Sequence, residues 1–365
     1  MNTQKRDKSM KPIILPIIPN TPISKNDQTL EAEFCLKSFG DFRFIQNVLF
    51  DSDLINYDEN YQNNQSNSDS FQKHMSEVYS IIKSNFPKNS KLIEVGCGKG
   101  SFLEIVKADG WFDYRGYDAA YEGDDEKIET RYLNKEDSIE ADIVVLRHTL
   151  EHIKSPHIFL MMMKKVFGDD ASVFIEVPQF DWIDTNKVLF DFTYEHVNYF
   201  SSNSLCSFFS ELKAFGDFFG GQYQYCLASL GDVDSSKWSG FESDDNWSDF
   251  NFDEYRLRFK EKTKFLDTKS RVWIWGGATK GVLFLKHLLD VSPLNFRKVV
   301  AVVDVNPKKQ SLFTPSTNLE IISPKELYSK LNDGDFILVM NPNYLEEVRS
   351  DLFNSTSLTV DVECF

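Results

Sequence analysis

Residues 193–200 read "TYEHVNYF" and set Tyr194, Glu195, His196 and Tyr199 within one short stretch. A phenol, a carboxylate and an imidazole are the side chains that move protons near neutral pH. His196 is the first choice for a base, because an imidazole titrates closest to neutrality. Glu195 can orient that imidazole or share its proton, Tyr194 offers a further acid or base, and Tyr199 is placed to touch a substrate. The same residues have a plainer use. Glu195 and His196 would brace the loop by hydrogen bonds while both tyrosines pack against a sheet.

A second stretch says what these groups could act beside. In "EVGCGKG" the glycines fall at 96, 98 and 100 with Glu94 two residues ahead. Glycines let a turn come close to a ligand, and the N–H groups at the next helix start favour a polar guest. Asp118, at the end of the following predicted strand, is spaced to accept from the two hydroxyls of a ribose, as an acid does at a switch point in an open α/β sheet. Dinucleotide turns read GxGxxG, whereas this one reads GxGxG, and Glu94 suits the amine of a zwitterionic ligand. The spacing therefore favours S-adenosylmethionine (SAM). Cys97 is read as a small turn residue of the same pocket, and Arg147 and His148 as its border.

These residues need a frame. "KLIEV" (91–95), "YRGYD" (114–118), "ADIVVLRH" (141–148) and "ASVFIEVP" (171–178) read as buried strands, with helices at 71–86, 101–110 and 155–168. Such alternation predicts a mostly parallel sheet covered on both faces. At Arg271 the pattern restarts: "RVWIWGGATKGVLFLKHLLD" is strand, glycine turn and helix, and Asp304 and "NPNY" (341–344) close two further strands. The expected divisions are a loosely ordered arm at 1–33, an N-terminal module or lid at 34–70, a cofactor domain at 71–230, a linker with a helix at 231–270, and a second Rossmann-like domain at 271–365.

Composition narrows the partners. Fifty-six acids against forty bases give a net charge of −16 over 365 residues, which repels nucleic-acid phosphates and points to a small-molecule substrate. Four prolines within 11–23 break the apolar piece "KPIILPIIPNTPI", so no membrane span is expected there, nor a signal peptide. Five separated cysteines without a CxxC pair give neither a zinc knuckle nor a disulfide framework, and a reducing cytoplasm is the expected location. The chain is expected as a monomer or homodimer.

The GxGxG turn with Glu94 and Asp118, followed by "VVLRHTLEHI" (144–153), resembles the class I SAM-dependent methyltransferases. The fold class this implies is α/β, a class I Rossmann-like domain followed by a second Rossmann-like domain. The order "CLKSFGDFRFIQNVLFDSDLINYDENYQ", "EVPQFDWI", "YEHVNYFS", "GGQYQY", "WGGATKG", "VVDVNPKKQ" and "ILVMNPNY" further resembles bacterial C-methyltransferases that act on nucleotide-linked deoxysugars for surface glycans or secondary metabolites. The resemblance implies SAM as cofactor, with Gly96, Gly98 and Gly100 at its methionine part and Asp118 at its ribose. It also implies that Glu195 and His196 match the Glu-His of a Tyr-His-Glu-His loop. Here Thr193 stands in the tyrosine's place and Tyr194 in the first histidine's, so the acceptor atom is left open between carbon, oxygen and nitrogen. A SAM- or nucleotide-sugar-binding protein without catalysis is the alternative from another class. Only Cys35 remains of the family's zinc-binding cysteines, so no metal is expected.

On spacing, Gly276, Ala278 and Gly281 also suit a nicotinamide cofactor; the resemblance implies instead a domain that encloses the nucleotide-sugar. Lys280 would then meet a pyrophosphate, with Asn341 and Tyr344 lining the cleft. A purely architectural role is the other reading. Glu151 and His152 are expected as structural braces.

Overall fold

The computed structural model describes residues 12–55, 61, 62, 68–241 and 243–365. The chain opens with an antiparallel pair, β1 (Ile13–Pro16) and β2 (Glu31–Phe34), in which Ile13 faces Phe34. The expected loose arm is thus ordered from residue 12 onward, and residues 1–11 lie outside the described part. Prolines prevent a helix here but leave an edge strand possible. Ile13, Leu15 and Ile17 supply the reason for order, since they bury into a core shared with Val272, Ile274 and Leu283 of the second domain.

A hairpin follows, β3 (Leu36–Phe39) and β4 (Phe44–Asn47). Helix α1 (Asp69–Asn85) buries Phe71, His74, Met75, Val78, Tyr79 and Ile82 at helical spacing, as the sequence pattern predicts. Glu347, from the far end of the chain, accepts from Ser68 Oγ, Ser70 N and Ser70 Oγ at 3.1, 3.3 and 2.9 Å, and so completes the N-terminal cap of α1. The polar segment before α1 falls largely outside the described residues.

The cofactor domain then alternates: β5 (Lys91–Val95), α2 (Ser101–Asp109), β6 (Asp113–Tyr117), β7 (Ile128–Glu129), β8 (Ile143–Arg147), α3 (Pro156–Phe167) and β9 (Ser172–Pro178). After α4 (Phe180–Asn186), β10 (Asn198–Phe200) and α5 (Ser202–Cys206) come β11 (Ala214–Phe218) and β12 (Tyr223–Ser229). The sheet order is β11-β12-β9-β8-β5-β6-β7, parallel except for the β11–β12 edge. The 231–270 stretch is more than a linker. Its strand β13 (Trp247–Asp249) joins β10, β4 and β3 in a four-stranded sheet. Phe39, Phe44, Trp238, Phe241 and Trp247 pack there ring against ring, with centroids 4.9–6.2 Å apart. Buried Cys35 lies beside this sheet.

Helix α6 (Asp253–Lys262) leads into the second unit: β14 (Val272–Trp275), α7 (Thr279–Val291), α8 (Pro293–Phe296), β15 (Val299–Val303), β16 (Ile321–Ile322), α9 (Pro324–Lys330), β17 (Phe336–Val339), α10 (Leu345–Ser355) and β18 (Asp361–Cys364). Its sheet, β16-β15-β14-β17-β18, is parallel throughout. The architecture is α/β with two Rossmann-like units in series. Among the described residues no helix is long and apolar enough to cross a membrane.

Candidate active site

One cavity of about 930 Å³ runs from the first glycine turn to the second. Its first wall is the β5–α2 connection. Gly96 has φ 76°, and a Cβ there would stand 2.4 Å from Thr149 Oγ1, so only glycine fits. Gly98 has φ 54° and open space where its Cβ would be, while Gly100, at φ 79°, precedes α2. Asp118 accepts from Gly98 N and Ala120 N, both at 2.8 Å. A carboxylate has about four lone-pair directions, so it keeps capacity for two hydroxyls. Cys97 also lines the wall. Burial pushes its thiol well up, which suits a packing role.

Behind this turn sits Glu94, 2% exposed, with Oε2 lacking a hydrogen-bond partner. Burial pushes its carboxyl up to about 8, with Arg147 pulling the other way and Asp118 and Glu176 adding to the rise. A buried acceptor without a donor fits a ligand that brings an ammonium. The wall therefore suits an aminoacyl nucleoside: glycines for close approach, Asp118 for a diol and Glu94 for an amine.

Arg147 ends β8 and His148 follows it, both lining the same cavity. Arg147 Nε donates to Glu176 Oε2 at 2.8 Å. His148 has φ 49°, a conformation that a non-glycine residue holds only when its surroundings impose it. Its ring stands 4.6 Å from that of Tyr223, edge to face.

Side-chain nitrogen and oxygen atoms of Glu151, His152 and His196 lie within 4.8 Å of one another on the cavity wall, which Glu195 also lines. Glu151 and His152, expected as structural braces, sit on the 3-10 turn 150–152 and also line the cavity, and His152 does brace the 193–200 loop. His152 Nδ1 lies 2.8 Å from the carbonyl oxygen of Glu195, and as a carbonyl only accepts, Nδ1 carries the proton. The His152 and His196 rings meet edge to face at 4.9 Å. Burial, then the neighbouring His152, lowers the His196 imidazole to about 3, so it is neutral at physiological pH. Glu195, 2% exposed, accepts from the Tyr61 hydroxyl at 3.0 Å. Thr193 is fully buried on the wall with Oγ1 lacking a partner.

Tyr194 and Tyr199 differ from expectation. Neither lines the cavity. Tyr194 is fully buried, with its phenol oxygen accepting from Asp51 N at 3.0 Å and its ring against Phe50. Tyr199 lies on β10, and its hydroxyl accepts from Thr193 N at 2.8 Å and donates to Thr193 O at 3.0 Å, closing the loop on itself. The plainer reading holds for the two tyrosines, since both rings join the apolar core shared with the second domain.

The far wall comes from that domain. Lys280 pairs with Asp191 and stands 5.2 Å over the Trp182 ring, so a phosphate would have to share it. Asn341 and Gln222 exchange amide hydrogen bonds at 2.9 and 3.1 Å, and Tyr344 packs on Phe219. All three of Lys280, Asn341 and Tyr344 border the cavity.

Residues 57–212 match the family described as a methyltransferase domain. Residues 240–357 match the family described as a C-methyltransferase C-terminal domain. The chain is a SAM-dependent methyltransferase. SAM is its cofactor, and Glu94, Gly98 and Asp118 line one wall of the cavity. Solved structures similar to this methyltransferase include a protein of Pyrococcus horikoshii OT3, 12% identical, covering 48% of this chain and 99% of that one with a TM-score of 0.37. Another is the 1,6-didemethyltoxoflavin-N1-methyltransferase of Burkholderia thailandensis, crystallised with 1,6-didemethyltoxoflavin and S-adenosylhomocysteine. It is 12% identical, covers 46% and 82%, and has a TM-score of 0.34. The CurJ carbon methyltransferase is 14% identical, covers 45% and 55%, and also has a TM-score of 0.34. A search of curated proteins gave no match to this methyltransferase.

Proposed function

We propose that this methyltransferase adds a methyl group to a carbon beside a carbonyl in a nucleotide-linked deoxysugar, with Glu195 and His196 handling the proton. The observation that carries the reading is the single cavity. It joins the cofactor wall at Gly98 and Asp118 to the second glycine turn at Gly276 and Lys280, with the carboxylate and imidazoles between them. The match of residues 240–357 to a C-methyltransferase C-terminal family supports the same reaction class.

SAM supplies an electrophilic methyl on a sulfonium, so the protein has to make the acceptor nucleophilic. A carbon next to a carbonyl must lose a proton, and the residue taking it must be unprotonated beforehand. His196 meets that condition because burial disfavours its charged form, which also makes it a weak base until the substrate's developing negative charge stands beside it. Glu195 stands next to it in the chain, and its backbone carbonyl holds the His152 ring in one tautomer. The enclosing second domain keeps water from the acceptor, and Lys280 with the start of α7 would meet a diphosphate.

Incubation of the protein with SAM and a panel of nucleotide-sugars, followed by mass spectrometry and carbon NMR of the product, tests the reading. A methyl bound to carbon is expected. A methyl on oxygen or nitrogen would select heteroatom transfer instead. Binding of SAM without any S-adenosylhomocysteine formed across the panel would favour a catalytically idle binder.

A further inference from the structure

We propose that Arg147 receives the carboxylate of the cofactor's methionine part and is held for that task by Glu176 and His74. The inference rests on SAM as cofactor and is independent of the sugar reading. Arg147 is 8% exposed and borders the cavity, yet its Nη2 is buried without a hydrogen-bond partner. A buried N–H left without an acceptor is costly, and a guanidinium fits a carboxylate better than any other acceptor. The guanidinium lies 4.8 Å over Phe102, in the first turn of α2, which brings it against the glycine turn. Glu94, with its unpartnered Oε2, borders the same cavity and interacts electrostatically with Arg147. A lone donor and a lone acceptor, close together and of opposite charge type, form a complement for an amino-acid zwitterion.

Glu176 and His74 explain why Arg147 stays put. Glu176 is fully buried; Arg147 Nε binds its Oε2 at 2.8 Å and His74 Nε2 its Oε1 at 2.6 Å. Burial alone would raise its carboxyl, but Arg147, His148 and His74 together hold it well below the carboxylate range. An ionised carboxylate only accepts, so His74 Nε2 is the donor. His74 comes from α1, ahead of the first strand of the cofactor sheet, and packs against Phe71, Phe218, Phe219 and Tyr223. With Nε committed to Glu176, the guanidinium keeps Nη2 for a further acceptor. Glu176 and His74 are thus positioning residues.

Calorimetry with three probes tests this. S-adenosylhomocysteine has both amine and carboxylate, its decarboxylated analogue keeps only the amine, and 5′-methylthioadenosine has neither. The wild-type protein should bind the decarboxylated analogue about thirtyfold more weakly than S-adenosylhomocysteine, the scale of losing one partner of a buried charged pair. Arg147→Gln should weaken S-adenosylhomocysteine by a similar factor and leave 5′-methylthioadenosine within about twofold. His74→Ala should do the same to a smaller degree, with His74→Gln restoring part of the loss. Equal affinity of the wild type for S-adenosylhomocysteine and the decarboxylated analogue would overturn the assignment even if the variants failed to fold. An equal loss for all three probes in Arg147→Gln would also overturn it, as that marks a structural residue.

Discussion

Glu94 makes cofactor binding a proton-coupled event. In the ligand-free protein its carboxyl titrates at about 8, so it is mostly protonated at pH 7. An ammonium placed against it requires the ionised form. Ionising it at pH 7 costs about 1.4 kcal/mol, one pH unit below a pKa of about 8, which is a tenfold weaker complex than a pre-ionised site would give. Affinity for S-adenosylhomocysteine should therefore rise about tenfold per pH unit between pH 6 and 7. It should level above about pH 8 and then fall once the ligand's own amine loses its proton. Calorimetry at pH 7 in buffers of different ionisation enthalpy should report release of about 0.9 proton per ligand, the protonated fraction of such a group. Glu94→Gln should abolish that release, and 5′-methylthioadenosine should show none. Heats that do not depend on the buffer, or the same pH profile for both ligands, would refute the reasoning. Stability gives a second readout with a fixed sign. A folded pKa raised from 4.5 to about 8 adds stability that is complete below pH 4.5 and lost as pH rises to about 8. The ligand-free wild type should thus lose more stability across that window than Glu94→Gln.

Three other outcomes follow from the geometry. His196→Ala should abolish methyl transfer while leaving SAM affinity, measured by calorimetry, near wild type; parallel loss of both would make the residue structural. Asp118→Ala should weaken SAM binding by about 1 to 3 kcal/mol, the scale of leaving a polar partner unmet, and unchanged affinity would remove Asp118 from the pocket. Gly96→Ala would force a Cβ to 2.4 Å from Thr149 Oγ1 and should lower both the unfolding midpoint and SAM affinity, whereas Gly98→Ala, with open space at its Cβ, should lower affinity more than stability.

Much of the first cavity wall was legible because its signals are local. Gly96, Gly98, Glu94 and Asp118 sit at fixed offsets around two strands, and apolar runs at 91–95, 143–147 and 172–178 mark the sheet without ambiguity. Tyr194 and Tyr199 failed to follow because a side chain's face depends on how a short loop and strand meet distant elements. Residue 194 turns to Asp51 and residue 199 to Thr193, and neither choice is written in the neighbouring letters. His74 and Glu176 were invisible for the same reason. Their bond joins residues 102 apart, and the only trace in the sequence is a charged residue inside the apolar run "SVFIEVP". Strands β11 and β12 were missed in an aromatic-rich stretch whose glycines mask the strand period. The arm expected to be loose over 1–33 is ordered from residue 12 because Ile13, Leu15 and Ile17 bury at alternate positions.

The cap that Glu347 places on α1 makes the two halves of this protein inseparable. A carboxylate some 280 positions downstream fixes the start of the helix whose His74 reaches Glu176. Amputating the chain after the first sheet, or grafting the rear half from a cousin lacking an acid there, should leave a front half whose first helix frays and whose grip on its nucleoside slackens. Engineering by exchange of halves would have to carry that glutamate along.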